Sequence, residues 1–140
     1  MRKKILFFAE GVTFTHIGKP VILAKYLASA GYKVYLARDP RHGKFSDDRN
    51  FSTVDMFAQS TEQFADNINR GKPLFDYQTL KQYAETDLEI LNQVKPDIVI
   101  GDLRFSLATS ARKFDIPYVN LTHAYWHKKM TAPTVCYTLP

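Results

Sequence analysis

Apolar runs and helical repeats alternate along the first part of the chain. Residues 5–9 are a continuous apolar run, which is typical of a strand covered by helices on both faces. We expect a loop over residues 10–19, after which Pro20 suits the first position of a helix because its missing N–H costs nothing there. Gly31 marks the end of that helix, and a second strand covers residues 33–37. Apolar side chains at helical spacing support the helix: Leu23, Ala24, Leu27 and Ala28.

The rest of the chain continues the alternation after an irregular middle. Residues 38–50 are polar and predict a loop, and residues 53–57 predict a short third strand. Two helices should follow. Ser60 and Gln63 have capping-box spacing and open the first, and the second begins near residue 76. The last expected elements are a strand, a helix and a strand, over residues 98–100, 104–114 and 117–121.

This order of elements predicts an α/β fold. Strands that alternate with helices favour a parallel sheet, and right-handed crossovers favour a Rossmann-like, doubly wound arrangement. The strand order expected for it is 3-2-1-4-5, which makes the strands at 5–9 and 98–100 neighbours at the switch point. Ligands bind beyond the carboxyl ends of the strands at such a point. The loops that follow these two strands should therefore face each other across one crevice.

Composition is that of an ordinary globular protein. The 140 residues fit one domain over 1–140, with 45% hydrophobic and 24% charged residues. A net charge of +5 permits an anionic partner, but no nucleic-acid-binding motif accompanies it, so we expect no nucleic acid. The single cysteine, Cys136, excludes an internal disulfide and fits a reducing compartment. The apolar run at 5–9 is too short for a signal peptide and no run could span a bilayer, so we expect a cytoplasmic protein.

Two polar side chains stand in the loops that should meet at the crevice. His16 follows the first strand, and Asp102 lies at the end of the strand at 98–100. A carboxylate bonded to one imidazole nitrogen orients the other nitrogen as a proton acceptor, so this pair would suit general-base catalysis. The alternative is structural: His16 would be a solvated loop residue, and Asp102 would only cap the next helix.

Three segments carry a family resemblance. They are residues 8–24 (FAEGVTFTHIGKPVILA), 101–112 (GDLRFSLATSAR) and 116–126 (IPYVNLTHAYW). In their order and spacing they resemble bacterial glycosyltransferases of the UDP-glucosyl/glucuronosyltransferase family. The resemblance implies the N-terminal half of a GT-B fold, in which this domain binds the acceptor and a C-terminal domain binds the nucleotide sugar.

The resemblance also implies roles for the two polar residues. His16 would deprotonate the acceptor hydroxyl, and Asp102 would steady the histidine. The sugar would come from a UDP- or TDP-sugar as co-substrate, with inversion and without a metal or other cofactor. The acceptor would be a small molecule or a lipid. Candidate acceptor-binding residues lie near the same strand ends: Thr15, Phe105, His123, Tyr125 and Trp126.

The chain also departs from the family pattern. The position of His123 is commonly asparagine in the relatives that it resembles, and the chain stops after its fifth predicted strand. We therefore expect a truncated domain that lacks its C-terminal donor domain and is inactive alone. Its last strand would be an exposed edge, which favours self-association. The alternatives are a stand-alone ligand-binding or regulatory module without catalysis, or a fragment of a longer enzyme.

The remaining sequence motifs do not indicate a second catalytic or binding function. The glycine fingerprint of dinucleotide-binding folds and the P-loop are absent, which disfavours a nicotinamide-dependent oxidoreductase. His123 and His127 are four residues apart, but zinc needs three or four ligands, so we expect no metal site. A basic loop would ordinarily be a solvated surface, with peripheral membrane contact as the alternative; it contains Arg38, Arg41, His42, Lys44 and Arg49.

Overall fold

The protein, described here by a computed structural model that covers residues 2–123, contains one five-stranded parallel sheet with helices packed on it. The strands are β1 (Lys4–Ala9), β2 (Lys33–Arg38), β3 (Ser52–Asp55), β4 (Ile98–Asp102) and β5 (Tyr118–Leu121). The helices are α1 (Phe14–Ser29), α2 (Gly43–Ser46), α3 (Thr61–Asn69), α4 (Tyr77–Val94) and α5 (Leu107–Lys113). A 3-10 turn, Pro40–His42, precedes α2. Tyr125, Trp126, His127 and Cys136 lie outside the described residues.

The strand order is β3-β2-β1-β4-β5, and every pair is parallel. This confirms the predicted α/β, Rossmann-like arrangement with its switch point between β1 and β4. Ala9, the last residue of β1, stands opposite Asp102, the last residue of β4. Strands β1 and β4 therefore end at the same edge of the sheet, and the segments that follow them start side by side.

Alternate residues of β1 pack into two separate hydrophobic cores, one on each face of the sheet, which explains its continuous apolar run. Leu6 and Phe8 face one layer, and Ile5 and Phe7 face the other. The first layer contains side chains of α4 and α5: Ile90, Leu91, Val94, Leu107 and Ala111. The second contains side chains of α1: Ile17, Val21 and Ala24. Because both faces of the sheet are covered, no polar alternation is possible in β1.

Helix α1 begins earlier than its sequence predicts. Pro20 was expected at the first helical position, but Thr13 is the cap residue and Pro20 lies buried inside the helix. An interior proline cannot donate to the carbonyl one turn earlier, here that of His16, at a cost of about 3 kcal/mol. Burial of Ile17 and Val21 against the sheet offsets that cost. His16 is therefore the third residue of a helix rather than a loop residue.

The segment after β2 is also more ordered than predicted. A loop was expected over 38–50, yet the chain forms the 3-10 turn and α2 there. The carboxylate of Asp39 accepts a hydrogen bond from the backbone N–H of Arg41, and Pro40 occupies the first position of the turn. The capping signals of α3 are confirmed, since the Ser60 hydroxyl accepts from the backbone N–H of Gln63.

Strand β5 forms one edge of the sheet within residues 2–123, because β4 is its only neighbour there. Val119 is 42% exposed on it. An exposed strand edge of this kind is what led us to expect self-association, which stays a prediction. None of the helices in this part of the chain is long and apolar enough to cross a membrane.

Two glycines give a matched test of the packing. A Cβ at Gly101 in β4 would lie 2.7 Å from Cδ2 of the buried Leu107, whereas a Cβ at Gly18 in α1 would meet nothing within 4 Å. We expect Gly101→Ala to lower the free energy of unfolding by about 1–3 kcal/mol through overpacking. Gly18→Ala should raise it by about 0.5–1 kcal/mol through helix propensity. Urea unfolding measures both, and an unchanged Gly101→Ala would contradict the close contact of α5 with β4.

Candidate active site

His16 and Asp102 meet at the carboxyl edge of the sheet. Nδ1 of His16 lies 2.6 Å from Oδ1 of Asp102, and the side chains are 13% and 2% exposed. This confirms the predicted proximity of the two residues. The structural alternative does not describe them, because His16 lies within α1 and the cap residue of α5 is Ser106. The carboxylate of Asp102 is instead directed at the imidazole.

The hydrogen bond fixes the roles of the imidazole nitrogens. A carboxylate has no proton to give, so Nδ1 of His16 must donate and Asp102 must accept. In the neutral ring the second nitrogen, Nε2, then holds the free lone pair. The arrangement can therefore accept a proton at Nε2 while Asp102 stabilises the cation that forms.

Lys19 is a third member of this group that the sequence prediction missed. Its ammonium lies 2.9 Å from Oδ2 of Asp102, the oxygen that His16 does not use. Among residues 2–123 neither atom has a hydrogen-bond partner, so their contact is an ion pair and not a hydrogen bond. Lys19 follows His16 by three residues, which places both on one helix face. The sequence prediction missed this spacing because it began α1 at Pro20, after both residues.

A fully buried ionic network lies behind the pair. The guanidinium of Arg104 donates from Nε to Oδ1 of Asp87 at 2.9 Å and from Nη1 to Oε2 of Glu10 at 3.1 Å. All three side chains have 0% exposure. The ring of Tyr83 lies 3.7 Å from the guanidinium carbon, and its hydroxyl donates to Oε1 of Glu10 at 2.8 Å. The hydroxyl of Ser106 donates to Oδ2 of Asp87 at 2.5 Å.

Burial dominates the electrostatics of this network. Loss of water raises the pKa of Glu10 above its ordinary value, and the charge of Arg104 acts in the opposite direction. The pKa of Asp87 is raised for the same reason, again against the pull of Arg104. Burial also raises the pKa of Tyr83. Arg104 supplies the positive charge that acts against the burial cost of both carboxyl groups, so the network depends on Arg104.

The network ties together the two segments that carry the candidate dyad. Glu10 is the residue after β1, Arg104 lies two residues beyond β4, and Asp87 is on α4. No local pattern predicts this network, since Glu10 and Asp87 are 77 positions apart in the sequence. Arg104 was expected within a helix, but α5 starts only at Leu107. The side chain is thus free to point inward from a turn.

A pocket of about 220 Å³ opens beside the dyad, and both His16 and Asp102 line it. Most of its wall is apolar and comes from α3, from the segment that follows α3, and from the turn after β4: Phe64, Ile68, Leu74, Leu103 and Phe105. His123 closes one side, with its ring edge-on to that of His16 at 6.0 Å. The remaining lining residues are Leu121 and the polar Asn120 and Thr122, so the pocket suits a flat or aliphatic group that carries a polar end.

The candidate acceptor-binding residues differ in their position. Phe105 and His123 line the pocket, whereas Thr15 is exposed on the first turn of α1 and is not part of the lining. Tyr125 and Trp126 lie outside the described residues. Contact of any of the five with an acceptor stays a prediction. The wall formed by α3 was missed, because nothing in the sequence shows that α3 folds back over the crevice.

The basic loop is mostly paired within the fold. Arg38 is buried and contacts the carboxylates of Asp47 and Asp55, the first at 2.9 Å. Arg41 contacts Asp39 at 2.8 Å. Arg38 is therefore not the solvated residue that was expected. Among residues 2–123 no group of three or more metal-binding side chains occurs.

No family model matches the chain. It is 37% identical to the PGL/p-HBAD biosynthesis rhamnosyltransferases of Mycobacterium tuberculosis and Mycobacterium bovis, over 98% of this chain and 31% of theirs. It is also 37% identical to an inactive PGL/p-HBAD biosynthesis glycosyltransferase of Mycobacterium bovis, over 89% of this chain and 34% of that protein.

Solved structures agree on the fold. MurG of Acinetobacter baumannii superposes with a TM-score of 0.63 at 19% identity, over 84% of this chain and 34% of that one. A calicheamicin glycosyltransferase superposes with a TM-score of 0.63 at 18% identity, over 94% of this chain and 34% of that one. The predicted resemblance to the N-terminal part of bacterial GT-B glycosyltransferases is therefore confirmed. The chain spans about a third of the length of the curated relatives it matches.

The buried network predicts a stability loss that depends on pH. Arg104→Met leaves Glu10 and Asp87 buried without a cation, which should lower the free energy of unfolding by about 3–5 kcal/mol at pH 7.5. Burial raises the pKa of both carboxyl groups, and loss of Arg104 removes the charge that lowers it, so the folded variant holds protons that the unfolded state has released. Stability of the variant should therefore recover as the pH falls toward the ordinary carboxylate values.

Urea unfolding at several pH values between 7.5 and 5 measures this effect. Arg112→Met is the matched control, because Arg112 is exposed in the last turn of α5. It should change stability little at any of these pH values. A loss in Arg104→Met that is small, or that grows on acidification, would contradict the ionic network.

Proposed function

We propose that this chain, whose sequence and fold resemble the N-terminal part of GT-B glycosyltransferases, supplies the acceptor site and the catalytic base of such an enzyme. The observation that carries the proposal is the hydrogen-bonded pair His16 and Asp102 at the wall of an apolar pocket. The pocket lies beyond the carboxyl ends of β1 and β4, where doubly wound folds bind their ligands.

The proposed reaction is a single displacement with inversion. Nε2 of His16 takes the proton of an acceptor hydroxyl while the acceptor oxygen bonds to the anomeric carbon of the sugar. The bond from that carbon to the diphosphate oxygen breaks, and the nucleoside diphosphate leaves. Asp102 stabilises the imidazolium through Nδ1. A positioned base of this kind contributes about 10²–10⁴-fold to the rate. A metal-free course is part of the proposal and follows from the family resemblance.

The pocket supports an acceptor with an apolar body. Phe64, Leu103 and Phe105 contribute apolar surface to the same pocket as the dyad. A phenol or a lipid-like alcohol could bury its body there and direct its hydroxyl toward His16. The mycobacterial relatives are named rhamnosyltransferases, so a nucleotide-linked rhamnose is the first donor to test. The donor would be bound by a C-terminal domain like the remaining two thirds of those relatives.

A stand-alone binding or regulatory module is the second candidate, and the site does not favour it. One similar mycobacterial protein is named inactive, so related sequences need not be enzymes. A binding module, however, gains nothing from a buried carboxylate directed at one nitrogen of an imidazole. The pair His16 and Asp102 has the geometry that proton transfer needs, which supports the enzyme.

Turnover tests the base assignment in a two-domain protein. When the chain is joined to the donor-binding part of a mycobacterial relative, His16→Ala should lower kcat by about 10²–10⁴-fold, because the proton acceptor is gone. Binding of the nucleotide sugar should stay nearly intact. Asp102→Asn should cost less, since it disturbs orientation and charge but leaves Nε2 in place. Initial rates and calorimetric titration of the donor measure the two effects.

A second histidine provides the control. His42 contacts the backbone oxygen of Gly11 at 3.0 Å and does not line the pocket. His42→Ala should therefore keep most of the turnover. Near-normal turnover in His16→Ala would reject His16 as the base.

The chain alone should not transfer sugar. Holding two reactants in line supplies roughly 7–11 kcal/mol of a barrier, and only the acceptor has a candidate site among residues 2–123. The purified 140-residue chain is mixed with UDP- and TDP-linked sugars and a phenolic acceptor, and product and released nucleotide are followed by chromatography. We expect neither above the level without protein. Sustained turnover would overturn the division between an acceptor half and a donor half.

A further inference from the structure

Lys19 occupies the one carboxylate oxygen of the candidate dyad that His16 leaves open. Its ammonium lies 2.9 Å from Oδ2 of Asp102, while Nδ1 of His16 lies 2.6 Å from Oδ1. The carboxylate is 2% exposed, so the two side chains replace water as its partners. The lysine is 34% exposed and so keeps part of its stem in contact with solvent.

We infer that Lys19 is a positioning residue: its ammonium neutralises Asp102 and thereby keeps the imidazole of His16 unprotonated and ready to accept a proton. The inference rests on the proposed role of His16 as the base. It adds a residue that acts through Asp102 and does not itself touch the acceptor.

Counting charges at the buried site gives the physical reason. With Lys19 present and the imidazole neutral, the ammonium and the carboxylate of Asp102 sum to zero. Protonation of His16 would leave one excess positive charge where little water can screen it. Without the ammonium, a neutral imidazole would leave the carboxylate uncompensated, and protonation of His16 would complete an ion pair. By this count the charge of Lys19 opposes protonation of His16.

The same contact fixes the direction of the carboxylate. An ammonium at Oδ2 and an imidazole at Oδ1 hold the plane of Asp102 from two sides. Lys19 and His16 are three residues apart on α1, so one rigid helix turn carries both partners. Lys19 can thus limit rotation of the carboxylate away from Nδ1, which holds the imidazole of His16 in place at the pocket wall.

Within residues 2–123, the titratable groups that contact His16 come from α1, from β4 and from the segment after β5. Lys19 lies on its own helix, Asp102 ends β4, and His123 follows β5 with its ring 6.0 Å from that of His16. His123 can itself take up a proton, so a measurement must follow the two imidazoles separately. A titration that resolves single histidines by NMR does so.

The experiment is a proton and nitrogen NMR titration of the 140-residue chain, in which His16→Gln identifies the signals of His16. In Lys19→Met we expect the midpoint of the His16 titration to rise by about one pH unit, because an adjacent positive charge is lost. In Asp102→Asn it should fall, because the neighbouring negative charge is lost. Lys19→Arg keeps the charge and should restore a midpoint close to that of the unchanged chain.

Lys25→Met is the matched control. Lys25 lies on the same helix and its removal changes the net charge equally, but it pairs with Asp48 at 3.2 Å on the protein surface. It should leave the His16 midpoint in place. If Lys19→Met loses the spectrum of a folded protein, Lys19→Gln, which is polar and nearly as long, carries the same expectation.

An equal midpoint in Lys19→Met and Lys25→Met would overturn the role of Lys19. So would a midpoint in Lys19→Arg that follows Lys19→Met, because the effect would then come from the shape of the side chain and not from its charge. Either result leaves the base assignment standing, since turnover of His16→Ala tests that separately. Loss of the base assignment would likewise leave the measured titration of His16 valid.

Discussion

The fold around the candidate site depends on one buried cation. Arg104 has no exposed surface, and the side chains that pair with its guanidinium are Glu10 and Asp87. Those carboxylates come from the end of β1 and from α4, so the ion pairs connect three elements that are far apart in sequence. The ring of Tyr83 covers one face of the guanidinium and donates its hydroxyl to Glu10. Removing Arg104 would leave Glu10 and Asp87 without a cation in a place that water cannot reach.

The network and the dyad share the same two strand ends. The register of β1 and β4 places Ala9 opposite Asp102 at the carboxyl edge of the sheet. Side chains at and after these strand ends therefore point either into the protein or toward the pocket. Glu10 and Arg104 point inward and pair, whereas Asp102 and His16 face the pocket. Fixing the first pair restricts the backbone that carries the second. The proposed catalytic geometry of His16 and Asp102 thus depends on the ion pairs of the buried network.

The sequence predicted the elements whose signals are local, along with the meeting of His16 and Asp102. Apolar runs in β1 and β4 imply a doubly wound sheet, and its switch point brings the two residues together. The sequence prediction failed where tertiary packing overrode a local preference. Pro20 is a good first residue of a helix, but burial of Ile17 and Val21 extends α1 across it, which hid Lys19. The partners of Arg104 have no local signal, because charge compensation acts between residues distant in sequence.

The proposed division, with the base in one domain and the donor in another, has a physical rationale. The base must be held before the sugar arrives, since a mobile histidine would lose the benefit of proximity. Burial of Asp102, with His16 at Oδ1 and Lys19 at Oδ2, holds it without help from a donor. The diphosphate, in contrast, needs partners that match its negative charge as it leaves. At the proposed base, the ammonium of Lys19 is already paired with Asp102 and so is not available to the diphosphate, which would need partners of its own on the donor side.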